Sequence, residues 1–281
     1  MLSHLPVVKM KPMSDLHIAS DHSTLIFDTA TRIHALSVNA IAQRGLFHWA
    51  LSGGSTPKAL FELMATPNWA KRFDWPKIHL WWSDERAVPA DSPDSNYKMA
   101  HDALIAQVPI PTTNIHRVQT ELGAMPAAQA YERELLHAVA ASSSSSSALS
   151  LDLILLGMGD DGHTASLFPG TVAIFEKKRW VIAHFVPKVN MLRITFTPVL
   201  INAARTVMFL VSGAGKSLML RRVLYEFDQP NVLPSQIVSP ASGELLWMVD
   251  AAAAAQLNET DGLGEGSLED IYRRQPKSGP S

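Results

Sequence analysis

The sequence predicts an α/β protein built on a mainly parallel, Rossmann-like sheet with helices on both faces. Short apolar runs rich in branched and aromatic residues alternate with longer segments of helical spacing, which is typical of parallel sheets. Of the 281 residues, 47% are hydrophobic and 18% are charged, enough apolar material for one large core. Because no internal repeat is visible, we expect a single domain over residues 1–256. A tail, 257–281, lacks apolar periodicity and is predicted to be mobile.

The individual elements follow from the apolar runs and from helix-end signals. Eight runs are predicted to be strands: 46–51, 78–83, 114–118, 151–156, 180–186, 192–197, 206–211 and 245–250. Five segments are predicted to be helices: 24–44, which Gly45 ends, 57–64, 96–107, 127–141 and 216–227. The six-serine tract 142–147 is interpreted as a flexible surface loop.

Composition and charge exclude several classes of function. The formal net charge is −2, so no basic field exists to hold a nucleic-acid backbone. There are no cysteines, which rules out disulfides and thiolate metal sites and suits a reducing cytoplasm. No apolar run approaches the roughly 20 residues that cross a bilayer, and the N-terminus lacks the pattern of a signal peptide. We therefore expect a cytoplasmic protein with no membrane or nucleic-acid partner, and we favour a monomer.

The stretch LLGMGDDGHTASLFPG, residues 155–170, contains three glycines at the spacing G-x-G-x-x-G of dinucleotide-binding proteins. Such sites need an acidic residue about 20 positions further on, to hold the ribose. That count ends near Ile182, and the strand that follows carries no acid. Asp160 and Asp161 would also put two negative charges where a pyrophosphate lies. The sequence therefore argues against a nicotinamide or flavin site.

Two other glycine turns favour the binding of an anion. SGAGKS, residues 212–217, resembles a P-loop, but Leu210 stands where the first glycine of that motif is required. A strand, a glycine turn and Lys216 at a helix start remain, and a helix N-terminus attracts negative charge. The alternative is a plain glycine turn with a solvated lysine.

In LSGGSTPKAL, Gly53 and Gly54 let backbone N–H groups approach an oxyanion closely. Ser55 or Thr56 is predicted to cap a helix whose first residue is Pro57. An ordinary capped turn is the alternative. Two such turns at strand ends suggest that one phosphate lies between them.

Candidate reactive residues lie in two further loops. Asp84, Glu85 and Arg86 come where a strand ends, and they form either a functional loop or a surface salt-bridge set. His163 ends the glycine turn, with Asp161 two residues before it and a helix predicted from residue 164. A histidine with a reference pKa near 6.5 is suited to taking a proton from water at neutral pH.

Together these stretches resemble the 6-phosphogluconolactonase family of the oxidative pentose phosphate pathway. The resemblance is carried, in the family's order, by LSGGSTPKALFELMA, WWSDERAVPADSPDSNYKMA, LDLILLGMGDDGHTASLFPG, RITFTPVLINAARTVMFLVSGAGKS and GELLWMVDAAAA.

The resemblance implies hydrolysis of 6-phospho-D-glucono-1,5-lactone to 6-phosphogluconate, with no metal or organic cofactor. It implies that His163 is the general base and later the acid, with Asp161 beside it, and that Asp84 and Arg86 line the reacting centre. The residues that it implies for binding the substrate phosphate are Gly53, Gly54, Ser55, Thr56, Arg193 and Lys216.

Three rival functions remain open at this stage. A glucosamine-6-phosphate deaminase has a similar Asp-Gly-His turn, but here no acid follows His163 before Glu176. A non-catalytic sugar-phosphate sensor would need a partner-binding segment, for which only the tail is available. A metal hydrolase could use Asp160, Asp161 and His163, although ligand spacings such as H-E-x-x-H are missing.

Overall fold

The computed structural model describes residues 14–142 and 150–257. The predicted serine loop falls almost entirely outside the described residues, as do the N-terminal segment and residues 258–281 of the predicted tail. Leu257, the first residue of that tail range, is described and buried.

The described residues contain nine strands, which form two sheets. In chain order the strands are β1 (Ser14–Ala19), β2 (Phe47–Leu51), β3 (Ile78–Trp82), β4 (Asp84–Arg86), β5 (Leu153–Leu156), β6 (Val181–Val186), β7 (Met191–Phe196), β8 (Thr206–Val211) and β9 (Glu244–Asp250). Six of them make one sheet in the order β1-β9-β8-β5-β2-β3, and every pairing in it is parallel. This confirms the predicted mainly parallel α/β architecture.

In the part of the chain that the structure describes, seven α-helices connect the strands. They are α1 (His22–Arg44), α2 (Ser55–Ala65), α3 (Pro67–Ala70), α4 (Asn96–Ala103), α5 (Ala124–Ser142), α6 (Pro198–Ile201) and α7 (Ser217–Tyr225). Within residues 14–142 and 150–257, none of the helices combines the length and the apolar composition that crossing a membrane requires.

Alternating residues of the parallel sheet enter two separate cores. Trp49, Leu51 and Leu155 pack with residues of α1, α2 and α4 on one face. Ala50 and Leu156 point the other way and pack with residues of α5 and α7. Because successive side chains of a strand point to opposite faces, both faces of a buried parallel strand must be apolar. Helices therefore cover both faces of the sheet, as predicted.

The second sheet is antiparallel, with the order β4-β7-β6. Arg193 of β7 lies opposite Arg86 of β4 and opposite His184 of β6. Thr195 lies opposite Asp84 in the neighbouring row. Opposite residues in an antiparallel pair share one face, as do residues two apart along a strand. One face of this small sheet is therefore polar.

Several predicted elements differ from the structure. The strand predicted over 114–118 is wrong, because a 3-10 turn and one isolated bridge from Ile115 to Leu80 occupy this region. The helix predicted from 164 is also wrong: Thr164 forms a bridge with Leu167 around Ala165, whose φ of 46° no α-helix accommodates. The helix predicted to reach Gln107 ends at Ala103 and continues as a separate 3-10 turn.

Candidate active site

The loops that follow β8, β5 and β2 lie side by side at one edge of the parallel sheet. These three strands are consecutive neighbours, so their carboxyl ends meet at that edge. In the sheet, β3 lies on one side of β2 and β5 lies on the other, so the direction in which strands are added reverses at β2. Open α/β sheets bind ligands at the carboxyl ends of the strands at such a reversal. Strands are roughly 5 Å apart, so the outer two loops are roughly 10 Å apart. The His163 turn, in the loop after β5, therefore lies between the two glycine turns.

His163 is held by two neighbours. Its Nδ1 atom lies 2.5 Å from Oδ1 of Asp161, and its ring stacks on Phe168 with the centroids 3.8 Å apart. The Asp161 carboxylate also accepts the backbone N–H of His163 at 3.1 Å. Since a carboxylate only accepts, Nδ1 of His163 donates and Nε2 carries the lone pair. The imidazole is thus fixed in the tautomer that can take a proton at Nε2.

Lys188 is a member of this cluster that the sequence prediction missed. Its ammonium donates to Oδ2 of Asp161 at 2.7 Å and to Asp160 at 3.1 Å. Burial alone would raise the pKa of Asp161, but the hydrogen bonds from His163 and Lys188 outweigh burial, and the pKa is lowered far below its ordinary value. The carboxylate therefore stays charged beside the imidazole at neutral pH. The only sequence signal was a lysine at the tip of a short hairpin, which is common on any surface.

The three residues of the metal hypothesis belong to the same cluster. Asp160, Asp161 and His163 each place one possible ligand atom within 4.8 Å of the others. However, Nζ of Lys188 already binds both carboxylates, and Nδ1 of His163 binds Asp161. A divalent cation would have to displace an ammonium from these oxygens. The chain thus neutralises this acidic pair with its own side chain.

Asp84 and Glu85 are buried, so they are not a surface salt-bridge set. Asp84 is 8% exposed, and its Oδ2 accepts the hydroxyl of Ser166 at 2.6 Å. The amide of Asn96 donates to the Asp84 backbone oxygen at 2.9 Å. Glu85 accepts the backbone N–H groups of Asn96 and Tyr97 at 2.8 Å, which anchors the start of α4. Burial raises the pKa of Glu85, partly opposed by these bonds.

Arg86 and Arg193 form a pair of guanidinium groups across β4 and β7. Within residues 14–142 and 150–257 neither takes part in a salt bridge, and the Nε atoms of both are buried with no hydrogen-bond partner in the described chain. Burial lowers the pKa of Arg193; the charge of Asp84 opposes this, and the charge of Arg86 adds to it. Two neighbouring cations that form no salt bridge with the described residues are suited to an anionic ligand.

The first glycine turn begins a helix that has no side-chain cap. Helix α2 starts at Ser55, with Gly54 at the N-cap in a left-handed conformation, φ 108°. The predicted cap by Ser55 or Thr56 is therefore wrong, because both already lie in the first helical turn and Pro57 is the third helical residue. Helices α1, α4 and α6 each have a side-chain cap. The first N–H groups of α2 thus have no side chain to accept from them, which favours an anion.

The second glycine turn also leads into a helix that has no side-chain cap. Gly213, with φ 97°, precedes a 3-10 turn that leads through Lys216 into α7, and no side chain caps α7. Asp250, at the end of β9, accepts the Gly213 N–H at 3.0 Å and also binds the hydroxyl of Ser212. This carboxylate holds the turn from the side away from His163. Lys216, predicted to be the first residue of this helix, lies one position before it, as the N-cap residue of α7.

A cleft of about 530 Å³ opens beside the His163 turn. Asp161 and Lys188 are its charged lining residues, and its apolar lining includes Phe168, Val172 and Phe185. Neither glycine turn lines this cleft. The cleft therefore lies beside the region between the two glycine turns, and Asp161 lines the cleft where it meets that region.

Comparison with known proteins identifies the family. The profile described as glucosamine-6-phosphate isomerases/6-phosphogluconolactonase matches residues 20–247. The chain belongs to this family. It is 43% identical over 243 residues to a 6-phosphogluconolactonase of Nostoc sp., covering 86% of this chain and 98% of that protein. It is 44% identical over 220 residues to a 6-phosphogluconolactonase of Synechocystis sp., covering 78% of this chain and 88% of that protein.

Solved structures in this family share the fold. The 6-phosphogluconolactonase from Trypanosoma cruzi superposes with a TM-score of 0.77 at 27% identity, covering 90% of this chain and 99% of that one. The resemblance inferred from the sequence motifs is thereby confirmed. The match begins in the loop before α1 and ends within β9, so it includes all three loops at the sheet edge.

Proposed function

We propose that this chain is a 6-phosphogluconolactonase that hydrolyses 6-phospho-D-glucono-1,5-lactone to 6-phosphogluconate in the oxidative pentose phosphate pathway. One observation carries the proposal: the His163–Asp161 pair lies in the loop after β5, between two helix N-termini that have no side-chain caps. The family includes isomerases, but the relatives described above are named 6-phosphogluconolactonases. The names of these relatives thus favour the lactonase over the deaminase.

The reaction needs one base and one water molecule. A lactone carbonyl is already electrophilic, so no covalent nucleophile is required. Nε2 of His163 takes a proton from water as the oxygen of that water bonds to the carbonyl carbon. The imidazolium then returns the proton to the ring oxygen as the carbon–oxygen bond breaks. Acid–base assistance of this kind contributes about 10² to 10⁴-fold. Asp161 fixes the tautomer and stabilises the imidazolium.

The remaining site residues are proposed to bind and orient the substrate. The backbone of Gly53, Gly54, Ser55 and Thr56 supplies N–H groups to the phosphate, and Lys216 approaches it from the other turn. A phosphate monoester carries about −1.5 to −2 charge at neutral pH, so donors from both turns bind it. Because it is remote from the reacting carbon, binding it orients the carbonyl against the base.

The two arginines complete the proposed site. Arg193 binds the phosphate, and Arg86 or a backbone N–H donates to the oxyanion that forms on the carbonyl. One such donor contributes roughly 2.7 to 4 kcal/mol to lowering the barrier. The unpartnered Nε atoms of both side chains support an anionic ligand here.

A direct assay tests the function. Freshly generated 6-phosphogluconolactone is supplied, and the rate of 6-phosphogluconate formation is compared with spontaneous hydrolysis. Deamination of glucosamine 6-phosphate is measured in parallel with the same preparation. We expect lactone hydrolysis alone, unchanged after treatment with a chelator. Deamination without lactone hydrolysis would contradict the proposal, and loss of activity with the chelator would restore the metal hypothesis.

We also propose that the enzyme works in the cytoplasm as a monomer. The absence of cysteine supports a reducing compartment. Sedimentation of the full chain tests the oligomeric state.

A further inference from the structure

Ser166, three residues after His163, is bound through all three of its polar groups. Its backbone N–H donates to Oγ1 of Thr195 at 3.1 Å, and its hydroxyl donates to Oδ2 of Asp84 at 2.6 Å. Its carbonyl oxygen accepts from Nε2 of His184 at 2.9 Å. Ser166 is fully buried, so none of these bonds competes with water. We name these four residues the Ser166 clamp.

The register of the antiparallel sheet explains why three different strands reach one serine. Asp84 and Thr195 face each other across β4 and β7, and His184 lies opposite Arg193 in the next row. All of them are on the polar face of that sheet, since opposite and alternate residues share a face. The clamp is therefore a property of the pairing of β4, β6 and β7 rather than of the loop itself.

The chain between His163 and Ser166 has little freedom. Ala165 has a φ of 46°, a left-handed conformation that is uncommon for residues other than glycine. The hydroxyl of Thr164 donates to the Gly157 oxygen at 2.8 Å. Such a conformation persists only where the surroundings enforce it.

The turn is also held on its other side. The backbone N–H and the hydroxyl of Ser235 both donate to the Gly162 oxygen, at 2.9 and 2.8 Å. The backbone that carries the His163 imidazole is thus fixed at the residue before it and at the third residue after it. The first anchor comes from the 3-10 turn at Ser235, and the second comes from the antiparallel sheet.

We propose that the Ser166 clamp positions the His163 imidazole, so that Asp84, Thr195 and His184 are positioning residues that act on catalysis through Ser166. This inference rests on the proposed function. It gives the Asp84 carboxylate a role that differs from lining the reacting centre, because its Oδ2 atom already accepts from Ser166 and its Oδ1 atom from Asn96 at 3.3 Å. Asp84, Thr195 and His184 thereby contribute to catalysis without contacting the reacting atoms.

Thr195 and Thr197 provide a matched pair of variants. Oγ1 of Thr195 accepts from Ser166 and donates to the Phe196 oxygen. Oγ1 of Thr197 accepts from Val199 and donates to the Arg179 oxygen. Both side chains are buried. Thr195→Val and Thr197→Val each remove one hydrogen bond accepted from a backbone N–H and one donated to a backbone oxygen. Only Thr195→Val weakens the clamp.

The expected results separate positioning from stability. Thr195→Val is expected to lower kcat by about 10 to 100-fold with KM within about twofold, because a small displacement of a catalytic group costs rate rather than binding. Thr195→Ser keeps the hydroxyl and restores kcat. Thr197→Val lowers the melting temperature as much as Thr195→Val but keeps the wild-type kcat. Wild-type kcat in Thr195→Val would overturn the proposal.

A second readout does not depend on activity. The proton that Nδ1 of His163 donates to Asp161 should give a downfield resonance in the NMR spectrum. We expect it in the wild type, Thr195→Ser and Thr197→Val, and we expect it shifted or broadened in Thr195→Val. If Thr195→Val does not fold, Ser166→Ala removes only the bond to Asp84 and is measured instead, with Ser83→Ala as its control. An unchanged resonance in the clamp variant would overturn the proposal, whereas an inactive wild type would overturn the proposed function alone.

Discussion

Gly159 and His163 are in such close contact that no side chain fits between them. A Cβ atom added at Gly159 would overlap Nδ1 and Cε1 of the His163 imidazole, and it would lie 2.8 Å from Oδ1 of Asp161. The imidazole cannot easily move away, because Asp161 and Phe168 hold it. The second glycine of the dinucleotide-like motif therefore has a role other than approach to a pyrophosphate. At Gly159 the missing side chain leaves room for the His163–Asp161 pair.

Gly159→Ala is predicted to lower kcat by about 10²-fold, because the added methyl group displaces the imidazole from its partner. Gly157→Ala is the matched control in the same loop. Its Cβ would lie 3.8 Å from Oγ of Ser52, an ordinary contact. Neither glycine has a positive φ, so alanine is accepted by the backbone at both. Steady-state kinetics of the two variants are compared, and equal kcat values would show that the imidazole tolerates displacement.

His163→Asn is predicted to lower kcat by about 10² to 10⁴-fold with a modest change in KM, because the base is lost and the binding turns remain. His184→Asn, in the antiparallel sheet, is not a suitable control, since His184 belongs to the Ser166 clamp. His137, an exposed residue of α5, is suitable. Turnover near the wild-type value in His163→Asn would remove this residue from the mechanism.

Lys216→Ala is predicted to weaken the binding of the phosphorylated lactone selectively. Hydrogen bonds to charged groups contribute about 1.5 to 3 kcal/mol, so kcat/KM is expected to fall by about tenfold to hundredfold. Hydrolysis of glucono-1,5-lactone, which lacks the phosphate, should be unaffected. Lys77, just before β3 at the opposite edge of the sheet, is the control. An equal loss on both lactones would show that Lys216 does not bind the phosphate.

The parallel sheet was predictable because local patterns encode it. The apolar runs of β2, β5 and β8 are buried on both faces, and such strands read as continuous apolar sequence. β4 was missed because its three residues, Asp84 to Arg86, are charged, and only pairing with β7 makes them a strand. The run 114–118 looked like a strand, but only Ile115 bridges to the sheet.

The candidate site was predictable where chemistry follows sequence position. His163 and Lys216 stand at strand ends, and parallel strands bring such ends together. Lys188 and Ser166 were missed because their roles arise from contacts between distant segments. Lys188 meets Asp161 from 27 residues away, and Ser166 meets Asp84 from 82 residues away. No local spacing in the sequence encodes either contact.

A cluster of histidines at the amino ends of β2 and β3 predicts acid sensitivity. His48 is 3% exposed, and its Nδ1 accepts from Nε1 of Trp81 at 3.2 Å. Nδ1 of His79 lies 2.9 Å from Nε2 of His116. Burial lowers the pKa of His48 to about 3, with the charges of His79 and His116 adding to the effect. Burial and the charge of His116 lower the pKa of His79 to about 4.

The sign of the effect follows from proton binding. Between the unfolded pKa near 6.5 and these folded values, the unfolded chain binds more protons than the folded protein. The free energy of unfolding therefore falls as the pH falls through this window. His48 alone contributes a loss of about 1.4 kcal/mol per pH unit below about pH 6. Burial raises the pKa of Glu85 and Asp152, so the folded protein takes up protons at these carboxyls before the unfolded chain does, which opposes this loss.

Urea unfolding from about pH 7 to about pH 5 measures this slope before most carboxylates titrate. His48→Asn keeps an acceptor for Trp81 but cannot be protonated, so its unfolding free energy should change less with pH than that of the wild type. His137→Asn, on the exposed side of α5, should keep the wild-type slope. If His48→Asn and the wild type lose stability in parallel, the imidazole of His48 does not stay neutral in the folded protein, and the acid sensitivity arises elsewhere.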